Sequence, residues 1–216
     1  MRRYTIRATQ AESDAYLWEG AEGALGFDVG AHDGYSVGEM VTRCTRVAAF
    51  EPAAESFALM KDRWAGDPRA ELFNIAVCDH VGVLSLGVRA APMQSGQLTA
   101  AEMPDQGANG EHHWGAVTGY REMPCSTLDA LSEQIGVPDF VKIDTEGHEA
   151  QILKGATSLL AARRPRLLVE FHAGALRDEC TAILEAAGYD LEIVEPPHFP
   201  VGSHMRENYG WIKAVA

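Results

Sequence analysis

Two groups of residues in this 216-residue chain have the types and spacing to do chemistry. The first is Asp144-Thr145-Glu146-Gly147-His148-Glu149, with Glu170 and His172 following the next apolar run. Carboxylates and imidazoles at this density can accept or relay a proton near neutrality. Asp144 is the first choice for binding or deprotonating a hydroxyl nucleophile, with His148 and His172 as alternatives. Glu146 divides evenly between catalysis and a cofactor-loop role. The plain alternatives are that Asp144 caps the following helix and that His148 is a satisfied histidine at its start. The same set could hold Mg2+ or Mn2+, which favour oxygen-rich ligands. Such a cation would lower the pKa of a substrate oxygen.

The second group is Phe27-Asp28-Val29-Gly30-Ala31-His32-Asp33-Gly34, followed by Glu51-Pro52. Gly30 and Gly34 suit a tight turn from a strand into a helix. A dinucleotide site needs G-x-G-x-x-G here, so that several amides face a pyrophosphate. His32 and Asp33 lie between the two glycines instead, and acids flank the loop. A cationic ligand without phosphate suits these acids better than a pyrophosphate does. S-adenosylmethionine, with its sulfonium, ammonium and ribose, fits. Glu51 comes 21 residues after Gly30, where a carboxylate can take both ribose hydroxyls. NAD and a ligand-free structural turn are the weaker alternatives.

These residues need a scaffold that gathers them. Short apolar runs at 24–29, 47–50, 72–77, 138–144, 166–171, 191–194 and 211–215 read as strands. Between them, Val37, Met40, Val41 and Cys44 share one helical face, as do Ala53, Phe57, Met60 and Trp64. Leu128, Leu131 and Ile135 mark another helix, after a Ser126–Asp129 capping-box spacing. Ile152 to Leu160 and Leu176 to Ala187 complete the helical set, the last ended by Gly188. Gly82 to Val88 reads as an added hairpin strand. The alternation implies βαβ crossovers and a parallel sheet. Ligands bind such sheets beyond the carboxyl ends of the strands. The candidate residues stand just there.

At this point the chain resembles the FkbM family of S-adenosylmethionine-dependent methyltransferases. The resemblance rests on an ordered set of stretches: 28–34, Phe50-Glu51-Pro52, Asn74 to Asp79, Thr127-Leu128-Asp129, Val141 to Glu149 and Leu168 to His172. It implies a single Rossmann-like class I domain over 1–216. A mostly parallel seven-stranded sheet has helices on both faces and an antiparallel last strand. It also implies methylation of a hydroxyl, less often a carboxyl, on a small metabolite, sugar or lipid. Asp28, Gly30, Ala31 and Gly34 would line the methionine part of the cofactor, and Glu51 with Pro52 the ribose. Asn74, Ala76 and Val77 would border the adenine, Asp79 would reach its amino group, and Asp144 would stand beside the methyl. Asp79 also reads plainly as a turn residue.

Composition narrows the rest. Lys plus Arg number 18 against 31 Asp plus Glu, a net charge of −13, which suits neither nucleic acid nor an anionic membrane. Arg163, Arg164 and Arg166 read as a solvated helix end. No run approaches the roughly 20 apolar residues of a membrane span. The start has no apolar core of a secretory signal, and Cys44, Cys78, Cys125 and Cys180 show no paired spacing. They read as buried small residues of a cytoplasmic protein. Residues 1–22 are expected as a helical extension. Residues 89–120, rich in Gly and Pro, are expected as a lid or substrate-facing insertion, with Trp114 beside His112 and His113 facing substrate. A small-molecule acceptor is the expected partner. Two other readings remain: a metal-dependent hydrolase built on Asp144, Glu146, His148 and His172, and a noncatalytic cofactor-binding protein.

Overall fold

Runs such as Val47-Ala48-Ala49-Phe50 and Leu167-Leu168-Val169 lack polar alternation, which fits strands covered on both faces. A computed structural model describes residues 3–6, 15–89, 117–195 and 208–216. In chain order its elements are β1 (Arg3–Ile6), β2 (Gly23–Val29), α1 (Tyr35–Met40), β3 (Cys44–Phe50), α2 (Ala54–Trp64), β4 (Ala70–Phe73) and β5 (Ala76–Val77). Next come β6 (Gly82–Arg89), β7 (Val117–Ser126), α3 (Leu128–Ile135), β8 (Phe140–Ile143) and α4 (Glu149–Lys154). A π-helical turn (Leu159–Arg163), β9 (Arg166–Phe171), α5 (Gly174–Ala186), β10 (Asp190–Glu195) and β11 (Gly210–Val215) complete the chain.

The main sheet runs β1-β10-β11-β9-β8-β2-β3-β4. All pairings are parallel except those of β11, which is antiparallel to β9 and β10. Seven of these strands make the expected sheet with its antiparallel last strand, and β1 adds an eighth at the β10 edge. The chain moves outward from β2 through β3 to β4, then restarts at β8 and moves the other way. The switch point therefore lies between β2 and β8, where such sheets open a ligand crevice.

Period-two alternation splits the strands between two cores. Phe27, Val29, Ala48, Phe50, Val141, Ile143, Val169 and Phe171 pack on one face with Leu128, Ile152, Leu153 and Leu184. Val47, Ala49, Phe140 and Leu168 pack on the other with Val37, Met40 and Met60. The same alternation puts Asp28 and Lys142 on the second face, directly paired across β2 and β8.

Several expectations are corrected. The extension at 1–22 is not simply helical: residues 3–6 form β1 and 15–17 one helical turn. Helix α1 stops at Met40, and Cys44 opens β3. The run 72–77 is two strands in different sheets, broken at Asn74, because β5 leaves to pair with β7. Ser126 ends β7, and Thr127 caps α3 by accepting from the Ala130 amide at 3.1 Å. Asp129 instead accepts from the amides of Ser158 and Leu159. The helix expected over 152–160 breaks at Gly155, where a Cβ would lie 2.3 Å from the Cys78 carbonyl oxygen. Gly188, at φ 83°, ends α5 as expected. Arg164 is not merely solvated; it donates to the Ala187 and Gly188 carbonyls. The hairpin strand expected near 82–88 is β6, antiparallel to β7. Most of the insertion, with His112, His113 and Trp114, lies outside the described residues.

Candidate functional site

Strand ends define the site. β2 stops at Val29, and Gly30 turns with φ 76°. A Cβ there would lie 1.8 Å from the backbone oxygen of Asp144, so β2 and the loop after β8 meet backbone to backbone. Gly34, at φ 83°, packs against Trp64. Both glycines are thus demanded by protein contacts as well as by backbone conformation.

The loop amides are already engaged. Those of Gly30 and Ala31 donate to the Phe50 carbonyl at 3.0 and 3.1 Å, and that of His32 donates to Glu51 Oε2 at 2.9 Å. The Gly34 amide donates to the Ala31 carbonyl. A pyrophosphate would find none of these four donors free, which removes the basis of a dinucleotide site.

Glu51 is 4% exposed and also accepts from the Ala53 amide at 2.8 Å. Burial pushes its carboxyl up to about 7, against the pull of its two amide donors. Asn74 donates to the Glu51 and Pro52 carbonyls, so it braces that turn. Ala31, Pro52, Ala76 and Val77 are buried, with Ala76 and Val77 in the packing of the smaller sheet and main core.

Asp28 is fully buried and accepts from Ser36 Oγ at 2.6 Å. Its other oxygen lies 3.2 Å from Lys142 Nζ as an ion pair without hydrogen-bond alignment. Lys142 also donates to the Gly30 carbonyl at 2.9 Å and stands 3.4 Å from Asp144 Oδ2. Burial disfavours its charge, yet Asp28, Asp144 and Glu170 outweigh that and hold its pKa above the ordinary lysine value. Lys142 is the buried charge at the candidate site that motif reading missed. Its signal was a lysine inside the apolar run Phe140-Val141-Lys142-Ile143, where burial demands a counter-charge.

Beyond Lys142 stand Asp144, Glu170 and His172, each offering an atom within 4.8 Å of the others. Burial would raise the Asp144 carboxyl, but Lys142 and a hydrogen bond from Glu170 hold it low. Burial and the Asp144 charge push Glu170 up. Of the two coupled carboxyls, Glu170 is the one whose surroundings favour the protonated form. His172 Nε2 lies 3.4 Å from Glu146 Oε2 and 3.8 Å from Glu170 Oε1. Burial lowers its pKa, which favours the neutral ring. The Tyr209 ring packs edge-on against it at 5.6 Å.

Glu149 shapes the loop that carries Asp144. It is fully buried and accepts from the amides of Thr145 and Gly147 and from Thr145 Oγ1. Glu146, at φ 58°, and Gly147, at φ 120°, complete the turn. His148 does not join Asp144, Glu146 and His172. It is 3% exposed, and the charged groups that bear on it are Asp79 and His80. Asp79 is exposed and pairs with His80 at 2.8 Å.

The donor set fits S-adenosylmethionine. A buried, oriented carboxylate ends β3 for a ribose. The partly exposed Asp144 carboxylate beyond β8 suits a cationic ligand group. It fits a divalent cation poorly, because the Lys142 ammonium already stands against Asp144 and neutralises it. A cavity of about 190 Å³ bounded by Leu17, Phe140, Arg166 and Lys213 lies at the amino end of β8, away from these groups.

A doubly covered parallel sheet, an antiparallel β11 and acids at the ends of β2, β3 and β8 define a Rossmann-like class I methyltransferase. The fold recurs in a methyltransferase FkbM structure from Methylobacillus flagellatus KT, with TM-score 0.58 and 16% identity. That match covers 89% of this chain and 44% of that one, so this chain spans less than half its length. Fibrillarin from Aeropyrum pernix, described with natively bound S-adenosyl-L-methionine, matches with TM-score 0.54 and 12% identity over 95% of this chain and 74% of its own.

The chain belongs to the methyltransferase FkbM domain family, whose pattern it matches over residues 28–191. It is an S-adenosylmethionine-dependent methyltransferase, and the family gives the hydrolase reading no support. A curated relative, the hexuronic acid methyltransferase AglP of Haloferax volcanii, is 28% identical over 190 residues. The alignment covers 86% of this chain and 68% of that protein. No helix among the described residues is long and apolar enough to cross a membrane.

Proposed function

We propose that the chain methylates a hydroxyl of a small carbohydrate acceptor, with His172 as the general base. The observation that carries this reading is the placement of His172 against Glu146 and the Asp144–Glu170 pair, beside buried Lys142. The relative's hexuronic acid supports the acceptor class. Bound S-adenosylmethionine supplies a methyl carbon on a positively charged sulfur.

The protein's work is alignment and proton removal. Glu51 holds the ribose, and Asp144 orients the acceptor hydroxyl. Asp144 is a weak base because Lys142 and Glu170 stabilise its anion. His172 is the stronger one, since an imidazole matches neutral pH. Its Nε2 takes the proton that the acceptor hydroxyl loses; the cofactor, when bound, would supply the methyl group by breaking its sulfur–carbon bond and would leave as S-adenosylhomocysteine. Glu146 and Asp144 then stabilise the imidazolium. Asp28 acts through Lys142 as a positioning residue. The Lys142 ammonium meets the need for positive charge that a divalent cation would otherwise serve, and added Mg2+ should leave the rate unchanged.

The test is methyl transfer to uronic-acid and neutral glycosides, followed by mass spectrometry, with wild type and His172→Gln. The variant should lose about 10²–10⁴-fold in kcat, lose the wild-type fall in rate below the histidine range, and keep its affinity for S-adenosylhomocysteine. Methylation only at nitrogen or carboxyl groups, or an unchanged His172→Gln rate, would sink the reading.

A further inference from the structure

The smaller sheet joins two thiols that are 47 residues apart in sequence. Strand β5 runs parallel to β7 with Ala76 opposite Cys125 and Val77 opposite Ser126. The next residue, Cys78, donates its amide to the Ser126 carbonyl at 2.9 Å. Both thiols are buried and reduced. The His80 ring lies against them, with Cys78 Sγ 3.7 Å from Nδ1 and Cys125 Sγ 3.5 Å from Nε2. One donor atom from each of the three residues lies within 4.8 Å of the other two.

The geometry points to a site for a single thiophilic divalent cation, of the zinc class, held by Cys78, His80 and Cys125. A tetrahedral zinc with bonds of about 2.3 Å to sulfur and about 2.0–2.1 Å to nitrogen sets its ligand atoms about 3.6–3.8 Å apart. The 3.5 Å between Cys125 Sγ and His80 Nε2 is close to that spacing, and Cys78 Sγ lies within the 4.8 Å that a small shift of the ring closes. Asp79 Oδ1 holds His80 Nδ1 at 2.8 Å, the outer carboxylate that metal-bound histidines use to present their other nitrogen. That leaves Nε2, the atom facing Cys125, as the ligand. The His80 side chain is 49% exposed, so a cation has an entry path and the ring has room to close on both sulfurs.

A second observation points the same way. His148 Nδ1 is buried without a hydrogen-bond partner among the described residues, and its charged neighbours are Asp79 and His80. A cation with a bound water in its fourth position would give that nitrogen a partner. Binding releases one proton from each thiol, so two thiolates and a neutral imidazole balance the 2+ charge. The cation would tie the 78–82 turn to β7.

The experiment uses the full, tag-free chain, reduced and stripped of metal, titrated with Zn2+ and with Co2+ in separate runs. Expected are one equivalent bound per chain, thiolate-to-cobalt charge-transfer absorption, and a rise of about 6 °C in Tm at a hundredfold excess over Kd. Cys125→Ser should abolish the charge-transfer band or weaken binding at least tenfold. His80→Ala, at an exposed position where folding is safe, should weaken binding as much while S-adenosylhomocysteine still binds. No charge-transfer band in the wild type, or wild-type affinity in His80→Ala, would overturn the site. The cysteines would then be core packing alone.

Discussion

Replacing Lys142 by Met should be among the most damaging single changes in the site, and the size of the effect follows from burial. The side chain is 4% exposed and that of its partner Asp28 is 0%, so water screens their interaction little. Met fills the volume but leaves Asp28 as an uncompensated buried charge, with Asp144 and Glu170 close by. Removing one member of a buried pair costs about 3–5 kcal/mol. An unfolding entropy of about 2.1 cal/mol/K per residue gives roughly 0.45 kcal/mol/K for a chain of this length. Tm should therefore fall by about 7–11 °C. Asp28→Asn added to Lys142→Met removes the orphaned charge and should restore about half of the loss. The sign with pH is fixed. Lys142 is raised in the folded state, so its contribution is present at neutral pH and lost only as pH rises through that raised value. Asp144 is lowered, so its contribution is present above its unfolded pKa and lost as pH falls through the lowered value. The gap between variant and wild type should be widest between about pH 5 and pH 10. Thermal unfolding followed by circular dichroism reads all of this. A Tm within about 2 °C of wild type, or a double variant no more stable than the single, would refute the buried-pair reasoning.

Changes at four further positions separate ligand binding from scaffolding. Glu51→Gln should weaken S-adenosylhomocysteine binding about 10–100-fold by calorimetry, the scale of charge-assisted hydrogen bonds. Because burial pushes that carboxyl up to about 7, wild-type affinity should also fall as pH drops below that value. Glu149→Ala strips the acceptor from the buried amides of Thr145 and Gly147 and should cost about 2–4 kcal/mol in urea unfolding. Glu149 itself is pushed up to about 7 by burial, so its contribution is full below its unfolded value and is lost as pH rises through about 7. Glu149→Gln should accordingly gain on wild type between pH 5 and pH 8. Gly30→Ala sets a Cβ 1.8 Å from a backbone oxygen at a φ of 76° and should yield little folded protein. Gly66→Ala, with nothing within 4 Å, should behave as wild type in the same expression and melting assays.

The main sheet was legible because its strands announce themselves. Val47-Ala48-Ala49-Phe50 and Leu167-Leu168-Val169 are apolar on both faces, which suits a doubly covered parallel strand. The acids after them stand where such sheets bind ligands. Errors gathered where tertiary contacts override local pattern. Asn74 interrupts one apolar run because its amide braces Glu51 and Pro52, and β5 departs for another sheet. Gly155 breaks a periodic helix because the Cys78–Asp79 turn packs on it.

The sequence by itself determined the class of sheet, the glycine turn into α1, the carboxylate ending β3 and the acidic loop after β8. Each depends on neighbours within a few positions, and local backbone preference and hydrophobic periodicity are enough to read it. The tertiary structure alone decided which of these groups face one another. It paired Lys142 with Asp28 across strands 114 residues apart and set His172 against Glu146. It also sent His148 to the opposite side, toward Asp79 and His80, and brought Cys125 to Cys78. Such pairings follow from strand order and register, which the packing of the whole chain fixes and no local pattern encodes.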